Sequence, residues 1–210
     1  MPFFGPGLAY REVGEGRPLV LLHGFAGDGS LWPPVPGFRV VLPDFRGHGS
    51  SAQPLDKDFY PPDVLADDGL ALIEHLGLDD YDLGGYSLGA RIVVRMLVRG
   101  ARPRRAVVGG QGLREVQGIG GGAGAAFRKR VAEPNALVHV LDSLVATPVE
   151  ALPGITTPTL VVIGRDDERA ASGRQLADAL PHGTYAEIPG NHGTAAAGPD
   201  LIAAMLTWLS

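Results

Sequence analysis

Short, unbroken apolar runs alternate along the chain with longer segments in which apolar residues recur every three or four positions. The runs fall at residues 19–22, 39–42, 106–108 and 159–163, and the segments 80–84 and 184–188 read as strands beside them. A strand with no polar alternation has no face to offer water, so each run reads as a strand buried on both sides. The periodic segments between them, at 62–76, 87–99, 171–180 and 199–209, read as helices. In the second of these, Leu88, Ile92 and Met96 form an apolar stripe for packing, and Arg91, Arg95 and Arg99 form a polar one. Strands of this kind alternating with helices predict an α/β fold: a mostly parallel central sheet with helices on both faces.

In an open sheet of that class, ligands bind beyond the carboxyl ends of the strands. The loops starting at His23, Asp44, Ser87, Gly109, Gly164 and Pro189 should therefore meet along one edge. At 210 residues the chain is expected to form a single domain over 1–210, large enough to bury its core without staples. The net charge is −5 with no block of like charges, which gives no electrostatic case for nucleic acid. The chain contains no cysteine, which excludes disulfides, thiol catalysis and cysteine-ligated metals. The first residues lack a basic stretch followed by an apolar one, and no apolar run approaches a membrane span. A cytoplasmic protein without membrane partners is the expectation.

Candidate chemistry centres on Gly85-Tyr86-Ser87-Leu88-Gly89, placed between a predicted strand and a predicted helix. That is the setting of a nucleophile elbow, where a serine is held in a strained turn and small neighbours let strand and helix approach closely. A serine nucleophile needs a base, and the base needs an orienting carboxylate. Of the six histidines, His75 lies inside a helical segment, His182 at the opposite edge of the sheet, and His139 in a predicted helix of an insertion. His23 and His48 precede the serine, in loops better suited to roles other than that of the base. His192 follows the last strand at the correct edge. For the acid, the strand ending at residue 163 runs into Asp166, Asp167 and Glu168, and any one of them can face the crevice. Developing negative charge on a substrate oxygen needs two backbone N–H donors. Leu88, directly after the serine, supplies one, and Phe25, after His23-Gly24, the other.

Taken together, His23-Gly24-Phe25-Ala26-Gly27, the segment 43–51, the segment 85–89, Gly164 to Asp167, and Gly190 to His192 resemble the α/β-hydrolase fold superfamily over nearly the whole chain. The resemblance implies a Ser-Asp-His order of Ser87, Asp167 and His192, with Asp167 preferred because the acid stands three positions after the glycine closing its strand. It also implies that His48 is structural. Only about fifty residues separate the strands at 106–109 and 159–163 where the lid of this superfamily is inserted. A reduced lid over 111–157 is expected, with a glycine-rich loop at 118–124 and one or two helices within 127–144, broken near Pro134. Phe25, Leu31, Trp32 and Tyr86 are candidates for the pocket wall, and Gln111 and Leu113 for its floor; Trp32 fits the core equally well.

These features imply a serine hydrolase acting on a small-molecule carboxylic ester or related acyl substrate, needing neither metal nor organic cofactor. His23-Gly24-Phe25 with Trp32, and the motif running from Gly85 through Arg91, also resemble the menaquinone-pathway lyase group, in which an arginine at the position of Arg91 serves an acidic substrate. That alternative, with carbon–carbon hydrolysis of acidic substrates beside it, makes Arg91 a carboxylate clamp rather than part of a surface stripe. A non-catalytic ligand-binding member of the fold is the reading of a different class.

Overall fold

Successive residues of a strand point to opposite faces, and here both faces are apolar. In the computed structural model, which describes residues 1–118, 126–132 and 134–210, eight strands form one sheet in the order β1-β2-β4-β3-β5-β6-β7-β8. They are β1 Phe3–Phe4, β2 Leu8–Val13, β3 Arg17–Leu22, β4 Phe38–Pro43, β5 Asp82–Tyr86, β6 Ala106–Gly109, β7 Thr159–Gly164 and β8 Gly183–Ile188. From β4 through β8 all neighbours are parallel, whereas β1 and β2 join antiparallel at one edge. The run-based reading does not contain β1 and β2. The former is only two residues long, and the latter loses its apolar character at Arg11 and Glu12.

Helices cover both faces. They are α1 Val64–His75, α2 Leu88–Val98, α3 Leu113–Gln117, α4 Ala136–Ser143, α5 Ala170–Ala179, α6 His192–Ala197 and α7 Pro199–Leu209. Val20, Leu22, Leu83, Val108, Val161 and Ile163 face a layer built from α1 to α5. Their neighbours Leu19, Leu21, Val107, Leu160 and Val162 face α7, Trp32 and Val35.

The arginine stripe of α2 is not a solvated face. Arg95 grips the carboxylate of Asp63, with Nε at 3.0 Å and Nη2 at 2.6 Å, and Arg99 reaches the same group and Asp67. Arg91 is buried outright and donates to the carbonyls of Glu115 at 3.0 Å and Val145 at 3.2 Å. Arg91, with Arg95 donating to the Ala146 carbonyl at 3.4 Å, therefore docks the segment between β6 and β7 onto α2, while Arg95 and Arg99 tie α2 to the start of α1.

That segment contains α3, α4 and a short 3-10 stretch, Val149–Gly154. Of the one or two helices expected within 127–144, a helical turn lies at 126–128 and the longer helix begins at Ala136, because the Asn135 side chain accepts from the Leu137 amide at 3.0 Å and caps it there. The glycine-rich stretch expected at 118–124 lies outside the described residues beyond Gly118. Among the described residues, no helix is long and apolar enough to cross a membrane.

Candidate active site

Ser87 sits between the end of β5 and the first residue of α2 with φ 55° and ψ −116°. Holding a side chain in so sparsely populated a region costs about 1–3 kcal/mol. The surroundings enforce it. The Ser87 amide donates to the Gly109 carbonyl at 2.8 Å, and its own carbonyl accepts from Arg91 N at 3.1 Å. A Cβ at Gly85 would lie 2.5 Å from the carbonyl carbon of Gly89, and one at Gly89 would strike the carbonyl oxygen of Leu22. Strand and helix meet here at a separation that only glycine permits.

His192 opens α6. Asn191 caps that helix through the amides of Gly193 and Thr194, which fixes where the imidazole leaves the backbone. Its Nε2 lies 3.1 Å from the Ser87 hydroxyl oxygen, and its Nδ1 lies 2.8 Å from Asp167 Oδ2. Asp167 belongs to the turn after β7 and its side chain is fully buried, whereas Asp166 and Glu168 are exposed. The second carboxylate oxygen, Oδ1, accepts from the backbone N–H of Arg169 at 3.1 Å and from its Nη1 at 3.0 Å. A carboxylate that accepts from Nδ1–H leaves the Nε2 lone pair facing the hydroxyl, an arrangement able to take the serine's proton. Sequence reasoning missed Arg169. Its signal was the two-residue spacing from Asp167 at the start of a helix.

Gly24 lies against Ser87: a Cβ placed on Gly24 would stand 3.6 Å from that of the serine. The amides of Phe25 and Leu88 bond to no described acceptor. The Phe25 ring packs edge-on against His48 and Phe127. Tyr86 is buried. Its ring lies 5.3 Å from the imidazole of His192, and its hydroxyl donates to the His192 carbonyl at 2.8 Å. Burial, and then the charge of Asp167, push its phenol well above the usual range. Gln111 is buried just after Gly110, which abuts both the Tyr86 ring and the imidazole; its side-chain oxygen has no partner among the described residues.

The remaining expectations divide. Trp32 is not brought to this group: it packs with Val35, Phe38 and Leu42 in the layer beneath α7, and so belongs to the core. Leu31 is exposed and reaches the loop at Gly27, while Leu113 is half-buried against the α1–α5 layer. Arg91 has both terminal nitrogens on backbone carbonyls, and burial, followed by the nearby charge of Arg95, lowers its pKa. His23 is buried and neutral in tendency, its Nε2 accepting from the Phe45 amide at 2.9 Å while its Nδ1 meets the Gly24 carbonyl at 2.7 Å. His48 is buried too, with its pKa pushed down to about 4 by burial and then by His23. His75 stacks on Phe4, His139 bonds to the Leu55 carbonyl, and the carbonyl of His182 pairs with the start of β7.

Comparisons with known proteins agree with this architecture. A family model described as the alpha/beta hydrolase fold matches residues 17–109. A non-heme haloperoxidase from Rhodococcus erythropolis is 36% identical over 112 residues, which are 47% of this chain and 39% of that protein. The AB hydrolase superfamily protein YisY of Bacillus subtilis (strain 168) is 35% identical over 98 residues, 44% of this chain and 36% of its own length. The chain thus spans about a third of the length of such curated relatives. Among solved structures, Est816, described as an N-acyl homoserine lactone degrading enzyme, superposes with a TM-score of 0.76 at 26% identity, covering 97% of this chain and 96% of its own. A bromoperoxidase from Bacillus anthracis superposes with a TM-score of 0.76 at 25% identity, covering 96% and 95%.

Proposed function

We propose that the chain is a member of the α/β-hydrolase superfamily and, within it, a serine hydrolase that cleaves carboxylic esters through an acyl-enzyme. The observation that carries this reading is the line of contacts from Ser87 Oγ to His192 Nε2 at 3.1 Å and from His192 Nδ1 to Asp167 at 2.8 Å.

In this scheme Ser87 attacks the ester carbonyl as His192 takes its proton, and Asp167 holds the imidazole tautomer and stabilises the imidazolium. The amides of Phe25 and Leu88 receive the developing oxyanion, a role that their lack of a described acceptor leaves open to them. His192 then returns the proton to the leaving alcohol, and water, deprotonated by the same imidazole, clears the acyl group. The scheme requires no metal and no organic cofactor. The likeness to a lactone-degrading enzyme favours an ester-type bond as substrate.

The lyase reading needs Arg91 as a free carboxylate clamp. Both terminal nitrogens of Arg91 are already engaged by the carbonyls of Glu115 and Val145, which counts against that role.

The test is Ser87→Ala, assayed with a chain-length series of p-nitrophenyl esters and with a fluorophosphonate label. The parent should be labelled and active, and the variant should be neither while keeping its fold by circular dichroism. Undiminished ester turnover in the folded variant would overturn the reading.

A further inference from the structure

We propose that Arg169 is a positioning residue that shares the charge of Asp167 and thereby tunes how readily His192 takes the proton of Ser87. The inference rests on the Ser87–His192–Asp167 mechanism proposed for this site. The two oxygens of Asp167 are divided between two clients. Oδ2 faces His192 Nδ1 at 2.8 Å, and Oδ1 accepts from both the amide of Arg169 at 3.1 Å and its guanidinium at 3.0 Å. The backbone bond fixes the turn, and the side chain of the same residue delivers a full positive charge to the same oxygen.

This pair lies where solvent screens it weakly, since the Asp167 side chain is 0% exposed and that of Arg169 is 21% exposed. The other carboxylate near Arg169, Glu168, is 3.7 Å away and 85% exposed, so it contributes little. The guanidinium acts on His192 in two ways of the same sign. It draws negative charge away from Oδ2, and it repels the imidazolium that forms when the serine proton is taken. Both effects oppose formation of the imidazolium, so removing the guanidinium should let the imidazole hold its proton more readily.

Other polar groups around the pair do not duplicate this action. Tyr86, from β5, presents a phenol that burial keeps protonated. Tyr185, from β8, has its hydroxyl on the Ala170 carbonyl at 3.0 Å and near Glu187 at 3.1 Å, and burial raises its pKa to about 12. Glu187 is in turn 3.5 Å from Arg174, and Glu115 of α3 accepts from the Ser172 hydroxyl at 3.0 Å. Arg165 and Asp166 are exposed. Among the described residues, Arg169 is the one arginine or lysine in contact with the Asp167 carboxylate.

The experiment compares the parent with Arg169→Gln and Arg169→Lys, reading the pH dependence of kcat/KM for p-nitrophenyl acetate and of the fluorophosphonate labelling rate. In Arg169→Gln the acidic limb of both profiles should move up by about half to one pH unit, as expected for loss of one nearby charge. Below the limb this reads as a loss of roughly 3- to 10-fold. Arg169→Lys keeps the charge and should return the limb to the parent position. An unmoved limb in Arg169→Gln, a uniform loss at every pH, or a lysine variant that follows the glutamine variant would each overturn the inference. Should Arg169→Gln not fold, Arg169→Met carries the same expectation, because it retains the packing of the stem. Failure of both to fold would make Arg169 a structural brace and overturn the inference as well. A parent that takes no label defeats the hydrolase reading itself, whereas a labelled parent with an unmoved limb in the variant defeats only the role of Arg169.

Discussion

The hydroxyl of Tyr86 donates to the backbone carbonyl of His192 at 2.8 Å, although the two residues lie 106 positions apart. The same ring lies 5.3 Å from the imidazole, so one side chain supports both the backbone and the ring of the proposed base. Tyr86 thus stands beside the serine and braces His192.

Tyr86→Phe should therefore lower kcat for p-nitrophenyl acetate by about 3- to 10-fold with KM nearly unchanged, since the lost bond is worth on the order of 1 kcal/mol. The steady-state split between kcat and KM checks this. A change confined to KM would mean that the ring contacts substrate instead.

The strain at Ser87 makes a thermodynamic prediction. Glycine accepts the φ of 55° found there without a side-chain clash. Ser87→Gly should be more stable than Ser87→Ala by about 1 kcal/mol, both being inactive. Urea unfolding midpoints of the two variants measure the difference.

Gly89→Ala should fail for a different reason. The added methyl would strike the Leu22 and His23 carbonyls, which are held in place by the strand-to-helix junction. A loss of at least about 3 kcal/mol, or no soluble folded product, is expected. Circular dichroism and thermal melting would record it, and a well-folded variant with normal stability would refute the close approach.

His48 carries a pH dependence of stability. In the folded chain its pKa is about 4, lowered by burial, against a reference of 6.5. The unfolded chain therefore binds a proton between pH 6.5 and 4 that the native state does not, and stability falls as pH drops through that window. The loss from this group is complete below the folded pKa and reaches roughly 3 kcal/mol. Replacing it by His48→Gln should flatten the decline. Urea midpoints at pH 7 and pH 4.5, compared between parent and variant, isolate the contribution.

Much of the fold was legible because its signals are local. A strand buried on both faces favours a continuous apolar run, so β3, β4, β6 and β7 were visible as such runs. β2 was not, because an edge strand keeps polar residues such as Arg11 and Glu12. The positions of Ser87 and His192 at one sheet edge followed from chain order alone, since each directly follows a strand of a parallel sheet. The three carboxylates after β7 were not separable by residue type. Only Asp167 is turned inward, where its amide bonds to the Gly164 carbonyl at 3.0 Å.

What the sequence determined by itself is the architecture, the edge at which the candidate residues gather, and the need for glycine around Ser87. These depend on periodicity and on backbone sterics within a few residues. Tertiary structure alone decided that Trp32 belongs to the core beneath α7, that Arg91 holds backbone carbonyls of the inserted segment, and that Tyr86 and Arg169 support His192 and Asp167. Each of those facts depends on what is packed opposite a side chain, and the opposing group comes from a distant part of the chain or from a turn whose shape the packing sets.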